Sequence, residues 1–162
     1  MTSTSCHRTE QATTDQATTE QATTVPATTV PATTDQALRF AVAGRFIDGI
    51  GARNFDDVVG TLTDDVTFRA LLPKRVLEQV GRDAVRSDFD TWFGAAEHWE
   101  MVEAVVGEVG GRIHLRWRLR LTNPSVGPGT FLVEQQVYAD TGPQGRMRNV
   151  ALICTGYLRD AS

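Results

Sequence analysis

Cysteine is nearly absent from this chain. Cys6 and Cys154 are the only two in 162 residues. One falls in a repetitive N-terminal stretch and the other in an apolar run, so no disulfide framework is expected. Histidine is almost as scarce. His7, His98 and His114 are scattered, and no Cys/His spacing suits zinc, so neither a metal nor another cofactor is expected. No apolar run approaches the ~18 residues of a membrane-spanning helix. The opening MTSTSCHRTEQATT lacks the roughly 7–15-residue apolar stretch of a secretory signal. A cytoplasmic protein with no membrane partner is the expectation.

Charge of one sign is also lacking. The formal net charge is −4. Residues 1–35 carry Arg8 against Glu10, Asp15, Glu20 and Asp35, and so hold −3 of it, leaving the rest at −1. A nearly neutral domain has no general electrostatic pull on nucleic acid, and none is expected as a partner. Aromatic residues are missing from the same first 35 positions, where Val25 and Val30 are the large aliphatics after Met1. From Gln11 the chain instead repeats QATTD, QATTE, QATTV, PATTV, PATTD. Such a segment cannot bury enough apolar area to offset chain entropy, so residues 1–35 are expected to be a disordered tail. Residues 36–162 hold every Trp, Tyr and Phe, enough for one core.

What is present in that part is a sequence of helical patterns followed by strand patterns. Leu38, Val42, Phe46 and Ile50 recur every four residues and predict a helix over about 35–53 with Asp35 as its N-cap. A short helix follows over 55–62, then an alternating strand over 66–72 closed by Pro73. Residues 74–82 read as irregular or strand-like. Val85, Phe89, Trp92, Phe93 and Ala96 mark a third helix over 83–96. Four strand-like runs complete the chain: 98–109, 112–122 after the Gly110-Gly111 turn, 129–139, and 145–159. Helices first and an antiparallel meander after is an α+β order.

Alternation sorts the side chains by face. Ile113, Leu115, Trp117, Leu119 and Leu121 form an apolar set, and Arg112, His114, Arg116, Arg118 and Arg120 the opposite one. The basic stripe therefore lies outside, with Glu134 as one expected partner. On the next run Phe131, Val133, Val137 and Ala139 share the inward set with Gln135, a polar group in need of a partner. The run from His98 is ambiguous. If Trp99, Met101, Glu103 and Val105 face inward, Glu103 is a buried carboxylate suited to general-base work. If the even set does, His98 and Glu100 lie near a pocket rim. Glu103 and His98 are thus the candidate catalytic residues. Phe46, Phe68, Trp92, Phe93, Trp117 and Gln135 are expected to converge as the lining of an apolar cavity. Cys154 reads as a small buried hydrophobe.

Four stretches carry a resemblance to a known family. FIDGIGARNFDDVVGTLTDDVTFRALLP resembles an opening helix, short helix and first strand, and VGRDAVRSDFDTWFG a following G-x-x-A-[IV] helix. The hairpin with Arg112–Leu121 and the segment FLVEQQVYADTGPQGRMRNV resemble the central and closing strands. Together, over residues 36–159, they resemble the nuclear transport factor 2-like superfamily, which includes ketosteroid isomerase-like and SnoaL-like polyketide cyclase-like domains. The resemblance implies a cone-shaped curved sheet wrapping an apolar pocket, three helices packed against it, and a homodimer. It leaves two functions open, because this fold hosts both. One is an isomerase or cyclase acting by proton transfer on a hydrophobic small molecule. The other is a non-catalytic small-molecule-binding or dimerisation module. The isomerases' Tyr and paired carboxylates have no counterpart on helix one or on the inward sets of 112–122 and 130–139.

Overall fold

A computed structural model describes residues 34–161 of the chain. The expected tail lies outside them except for Thr34 and Asp35, which open the first helix. Helix α1 spans Thr34–Gly51 and α2 spans Phe55–Gly60. Strands β1 (Thr67–Leu72) and β2 (Arg75–Val80) form a hairpin, followed by α3 (Arg82–Phe93). Then come β3 (Trp99–Val109), β4 (Arg112–Asn123), β5 (Gly127–Thr141), β6 (Met147–Cys154) and β7 (Leu158–Arg159). The expected α+β class with three helices and a curved sheet is the observed one.

The strand order is β2-β1-β6-β5-β4-β3, with β7 pairing β5. One expectation is corrected here. The sheet is mixed rather than antiparallel, because β1 and β6 run parallel, Phe68 beside Val150 and Ala70 beside Leu152. The last expected run, 145–159, also breaks in two. Gly156 takes a φ of +72° with its Cα against Pro73, where an added Cβ would lie 2.6 Å from the proline ring. Only glycine tolerates both conditions, so the chain turns there and leaves β6.

The helices cover the inner face through one aromatic cluster. Val42, Ala43, Phe46 and Ile50 of α1 are buried, as are Val85, Phe89 and Phe93 of α3. Phe89 meets Phe46, Phe55, Phe68 and Phe93 with ring centroids 5.6–6.4 Å apart. At the α1–α2 crossing, a Cβ on Gly49 would approach Val58 Cγ2 to 2.9 Å, so the helices meet there backbone to side chain. Asn54 caps α2 by accepting from the Asp57 N–H at 3.3 Å. The Arg53 guanidinium donates to the carbonyls of Gly94 and Ala96, closing the C-terminal end of α3 onto the turn after α1.

Strand β3 resolves its own ambiguity in an unforeseen way. Trp99 pairs with Leu121 and Met101 with Leu119, on the inner face. A bulge between Met101 and Glu103 then shifts the register, so that Glu103 lies opposite Arg118 and Ala104 opposite Trp117. Neither the odd nor the even set faces inward throughout. Both share the work, on either side of Val102.

Candidate functional site

The inner face of β4 and β5 is buried in strict alternation, from Ile113 to Asn123 and from Phe131 to Ala139. Trp117 and Gln135 lie directly opposite one another there, and Cys154 of β6 lies opposite Gln135 on its other side. This places a primary amide between an indole and a thiol in the middle of an apolar surface. Gln135 is 0% exposed, yet neither its Nε2 nor its Oε1 meets a hydrogen-bond partner among the described residues. The amide draws the Cys154 thiol pKa down, behind burial and the Gly156 N–H in effect, without a hydrogen bond of ordinary geometry between the two side chains. Trp92 Nε1 and Trp117 Nε1 are buried and unpartnered as well.

A cavity of about 370 Å³ opens onto this spot. Its floor is Val133, Gln135 and Cys154, its walls Trp92, Phe93 and Tyr157, and its rim Leu72, Pro73, Lys74 and Arg75 of the β1–β2 turn. The volume falls within the range of small-molecule sites. Tyr157 is fixed in place: its hydroxyl donates to the Trp92 carbonyl and accepts from Asn123 Nδ2 at 3.1 Å. Phe93 packs edge-on against Tyr157, with centroids 6.3 Å apart. Gly156, by turning the chain at Pro73, brings Tyr157 to the wall.

The titratable groups here are held neutral or lie at the rim. Burial pushes the Cys154 thiol up, against a smaller downward pull from the Gly156 N–H. Burial also raises the Tyr157 phenol, partly offset by Asn123. Both are donors at neutral pH rather than bases. No carboxylate or histidine lines the cavity among the described residues. Beside it, Asp88 of α3 lies one helical turn before Trp92. Burial raises its pKa, and Gln79 and Arg75 act in the opposite direction. Its Oδ1 accepts from Gln79 Nε2 at 3.5 Å, and its Oδ2 is buried without a partner.

The structure brings together three of the residues expected from sequence, Trp92, Phe93 and Gln135. Phe46, Phe68 and Trp117 are packed into the core behind them, Trp117 at 5.6 Å from Phe46. Glu103 lies on the outer face, where Arg116 and Arg118 pair with it. His98 is exposed before β3, its backbone N–H on Thr122 Oγ1 at 3.2 Å. Neither opens into the cavity. Tyr157, Cys154, Lys74, Arg75 and Asp88 were not anticipated. Pro73 followed by two cations was the available sign for the rim. Nothing in the local pattern marked Tyr157, whose position depends on the turn at Gly156.

The outer face is a ladder of ion pairs. Arg118 meets Glu134 at 2.9 Å, Arg120 meets Asp160 at 2.8 Å and Arg112 meets Asp140 at 2.8 Å. The arginines of the basic stripe are therefore matched by acids, Glu134 and Asp140 on β5 and Asp160 just after β7, while His114 stacks on Tyr138. A larger outer concavity of about 480 Å³, between Thr67, Arg69, Glu78 and Arg112, reaches no buried orphan group. The inner cavity is the stronger candidate for that reason. Among the described residues no cluster of His, Cys, Asp or Glu is arranged to hold a metal, and no helix is long and apolar enough to cross a membrane.

Comparison with known proteins agrees with this architecture. A family model described as SnoaL-like domain matches residues 43–154. A proposed polyketide cyclase from Xanthomonas campestris pv. campestris superposes with a TM-score of 0.60 at 14% identity, covering 74% of this chain and 91% of that one. A second proposed cyclase, SnoaL-like and from Shewanella denitrificans OS-217, gives 0.57 at 10%, covering 72% and 90%. A nuclear transport factor 2-like protein from Exiguobacterium sp. 255-15 gives 0.51 at 22%, covering 75% and 99%. At these identities the likeness is one of fold. No curated protein matches the chain significantly.

Proposed function

Because this chain belongs to the SnoaL-like domain family, we propose that its inner cavity binds a hydrophobic small molecule. The observation that carries this is the fully buried, unpartnered amide of Gln135 at the floor of an aromatic-walled cavity. An orphaned buried amide costs about 1–3 kcal/mol, a cost a ligand able to hydrogen-bond to it would offset. Cys154 provides the test. In a Cys6→Ser chain, saturating 2-naphthol should slow iodoacetamide alkylation of Cys154 at least fivefold. An unchanged rate, with no 2-naphthol bound by calorimetry, would refute the reading.

A proton-transfer reaction, as in an isomerase or cyclase, is the second reading. Asp88 favours it, as a carboxyl beside the rim whose pKa burial raises and whose Oδ2 has no partner among the described residues. The likeness to proposed polyketide cyclases fits the same reading. On this reading Asp88→Asn loses turnover while 2-naphthol affinity stays within twofold of wild type. Glu103→Gln should leave both unchanged, which also tests Glu103 as a catalytic group.

The chain is further proposed to pair with itself through the outer face of the sheet. Val76, Leu71 and Ile153 are exposed and adjacent in one row across β2, β1 and β6, and the row continues into Gln136 and Arg116. An apolar strip beside alternating charges of both signs suits a symmetric partner. Sedimentation at micromolar concentration should show a dimer, and Ile153→Glu a monomer.

A further inference from the structure

The ligand itself is constrained by the two ends of the cavity. At the rim stand two cations, Lys74 and Arg75, both exposed. Neither forms an ion pair within 4.0 Å among the described residues. This sets them apart from Arg112, Arg116, Arg118 and Arg120, each of which meets a carboxylate. Asp88 attracts Arg75 without forming an ion pair with it, and no acid lines the cavity to neutralise either cation. At the floor, Gln135 presents an unused donor pair on Nε2 and an unused acceptor on Oε1. A carbonyl would satisfy the donor and leave Oε1 orphaned. A hydroxyl accepts from one Nε2–H and donates to Oε1, so it satisfies a donor and the acceptor of the amide together. Between the two ends the walls are Trp92, Phe93 and Tyr157, which favour a flat ring body.

Building on the reading that the cavity binds a hydrophobic small molecule, we propose that its ligand is a ring-based hydroxy acid. The hydroxyl lies on Gln135 at the floor, the rings lie between the aromatic walls, and the carboxylate lies at the rim between Lys74 and Arg75. The two ends contribute differently. The carboxylate stays partly hydrated, where a charge pair gives modest energy. The hydroxyl is desolvated, where an unmatched amide is heavily penalised, so the floor discriminates and the rim adds affinity and orientation.

Three naphthalene probes separate the two ends: 6-hydroxy-2-naphthoate has both groups, 2-naphthoate lacks the hydroxyl, and 2-naphthol lacks the carboxylate. By calorimetry with the full chain, 6-hydroxy-2-naphthoate should bind at least tenfold more tightly than 2-naphthoate and about threefold more tightly than 2-naphthol. Lys74→Gln with Arg75→Gln should abolish its advantage over 2-naphthol and retain its advantage over 2-naphthoate. Gln135→Leu should do the reverse. That substitution removes an orphaned amide from the interior, so loss of the fold is not expected, and thermal melting checks it. If 2-naphthol binds as tightly as 6-hydroxy-2-naphthoate, the cavity is a hydrophobic site but the hydroxy-acid assignment falls. If a preference survives the variant meant to abolish it, that end is wrongly assigned. If none of the three binds, both the assignment and the binding reading fall.

Discussion

Asp88 is placed where its charge is a cost. Burial lifts its pKa above the ordinary carboxylate value in the folded protein. Protonated Asp88 is accommodated in acid. As pH rises from its unfolded value through its folded one, ionisation takes stability away. Asp88→Asn, nearly isosteric and never charged, is therefore expected to be at least as stable as wild type at pH 7. Its advantage should shrink as pH falls through the raised folded value of Asp88 toward about 4, the ordinary range for Asp, and be gone below it. Urea unfolding at pH 7 and pH 3.5 measures this, and an advantage that grows in acid would contradict it. Gln135 poses the same kind of conflict without a charge. Gln135→Leu should stabilise the unliganded domain by about 1–3 kcal/mol while removing hydroxyl selectivity. Residues of this sort carry the signal for function, and only part of it was legible. Gln135 stood out as polar in an apolar inward set. Asp88 did not, because an Asp on an amphipathic helix looks solvated until the edge strand beneath it is known.

Among the elements, β3 shows where the reading of alternation stops. Period-two reasoning placed the inward residues of β4 from Ile113 to Leu121 and of β5 from Phe131 to Ala139, where the alternation is uninterrupted, and missed the buried Asn123 beyond the register shift that follows Thr122. It failed on β3 because one extra residue between Met101 and Glu103 exchanges the faces midway. The bulge puts Glu103 against Arg116 and Arg118, and Ala104 against Trp117. Deleting Val102 removes the extra residue and leaves Met101 opposite Leu119, Glu103 opposite Arg118 and Ala104 opposite Trp117 in plain alternation, so Glu103 should keep its arginine partners and the domain should stay folded. Circular dichroism during thermal melting should register a small change in Tm, and a loss of several kcal/mol, as burying an unpaired carboxylate would cause, would contradict this placement of the bulge. Helix packing makes a second, independent prediction. Gly49→Val places a branched side chain into Val58 at the α1–α2 crossing, with backbone atoms at 3.0 and 3.2 Å that cannot yield. About 2 kcal/mol or more of destabilisation is expected in chemical denaturation.

For the whole molecule, the α+β order, the three helices and most strand limits were visible in hydrophobic period and turn residues. The parallel β1–β6 pair was not, since nothing local to either strand specifies a neighbour eighty residues away. The proposed independence of residues 1–33 is a prediction at this scale. A chain beginning at Thr34 should unfold within about 0.5 kcal/mol of the full chain, because that segment offers no apolar face. A loss of several degrees in Tm would show that it docks.

That parallel pair also sets a timetable. Strand β6, made after β1 to β5, occupies a central place in the sheet, between the first-made hairpin and β5. On the ribosome, β1 and β2 emerge early and wait, with the β1 edge unpaired and Phe68 lacking its lid, until Met147–Cys154 clears the exit tunnel. The ion pairs that Glu103, Glu134 and Asp140 make among β3, β4 and β5 can assemble before that moment, but the cavity cannot, because Cys154 of its floor lies in β6 and Tyr157 of its wall follows it. A nascent chain stalled after Gly145 is thus expected to hold a folded meander beside an open, adhesive edge, the kind that chaperones recognise. In this topology the cavity takes shape only when β6 is inserted between β1 and β5.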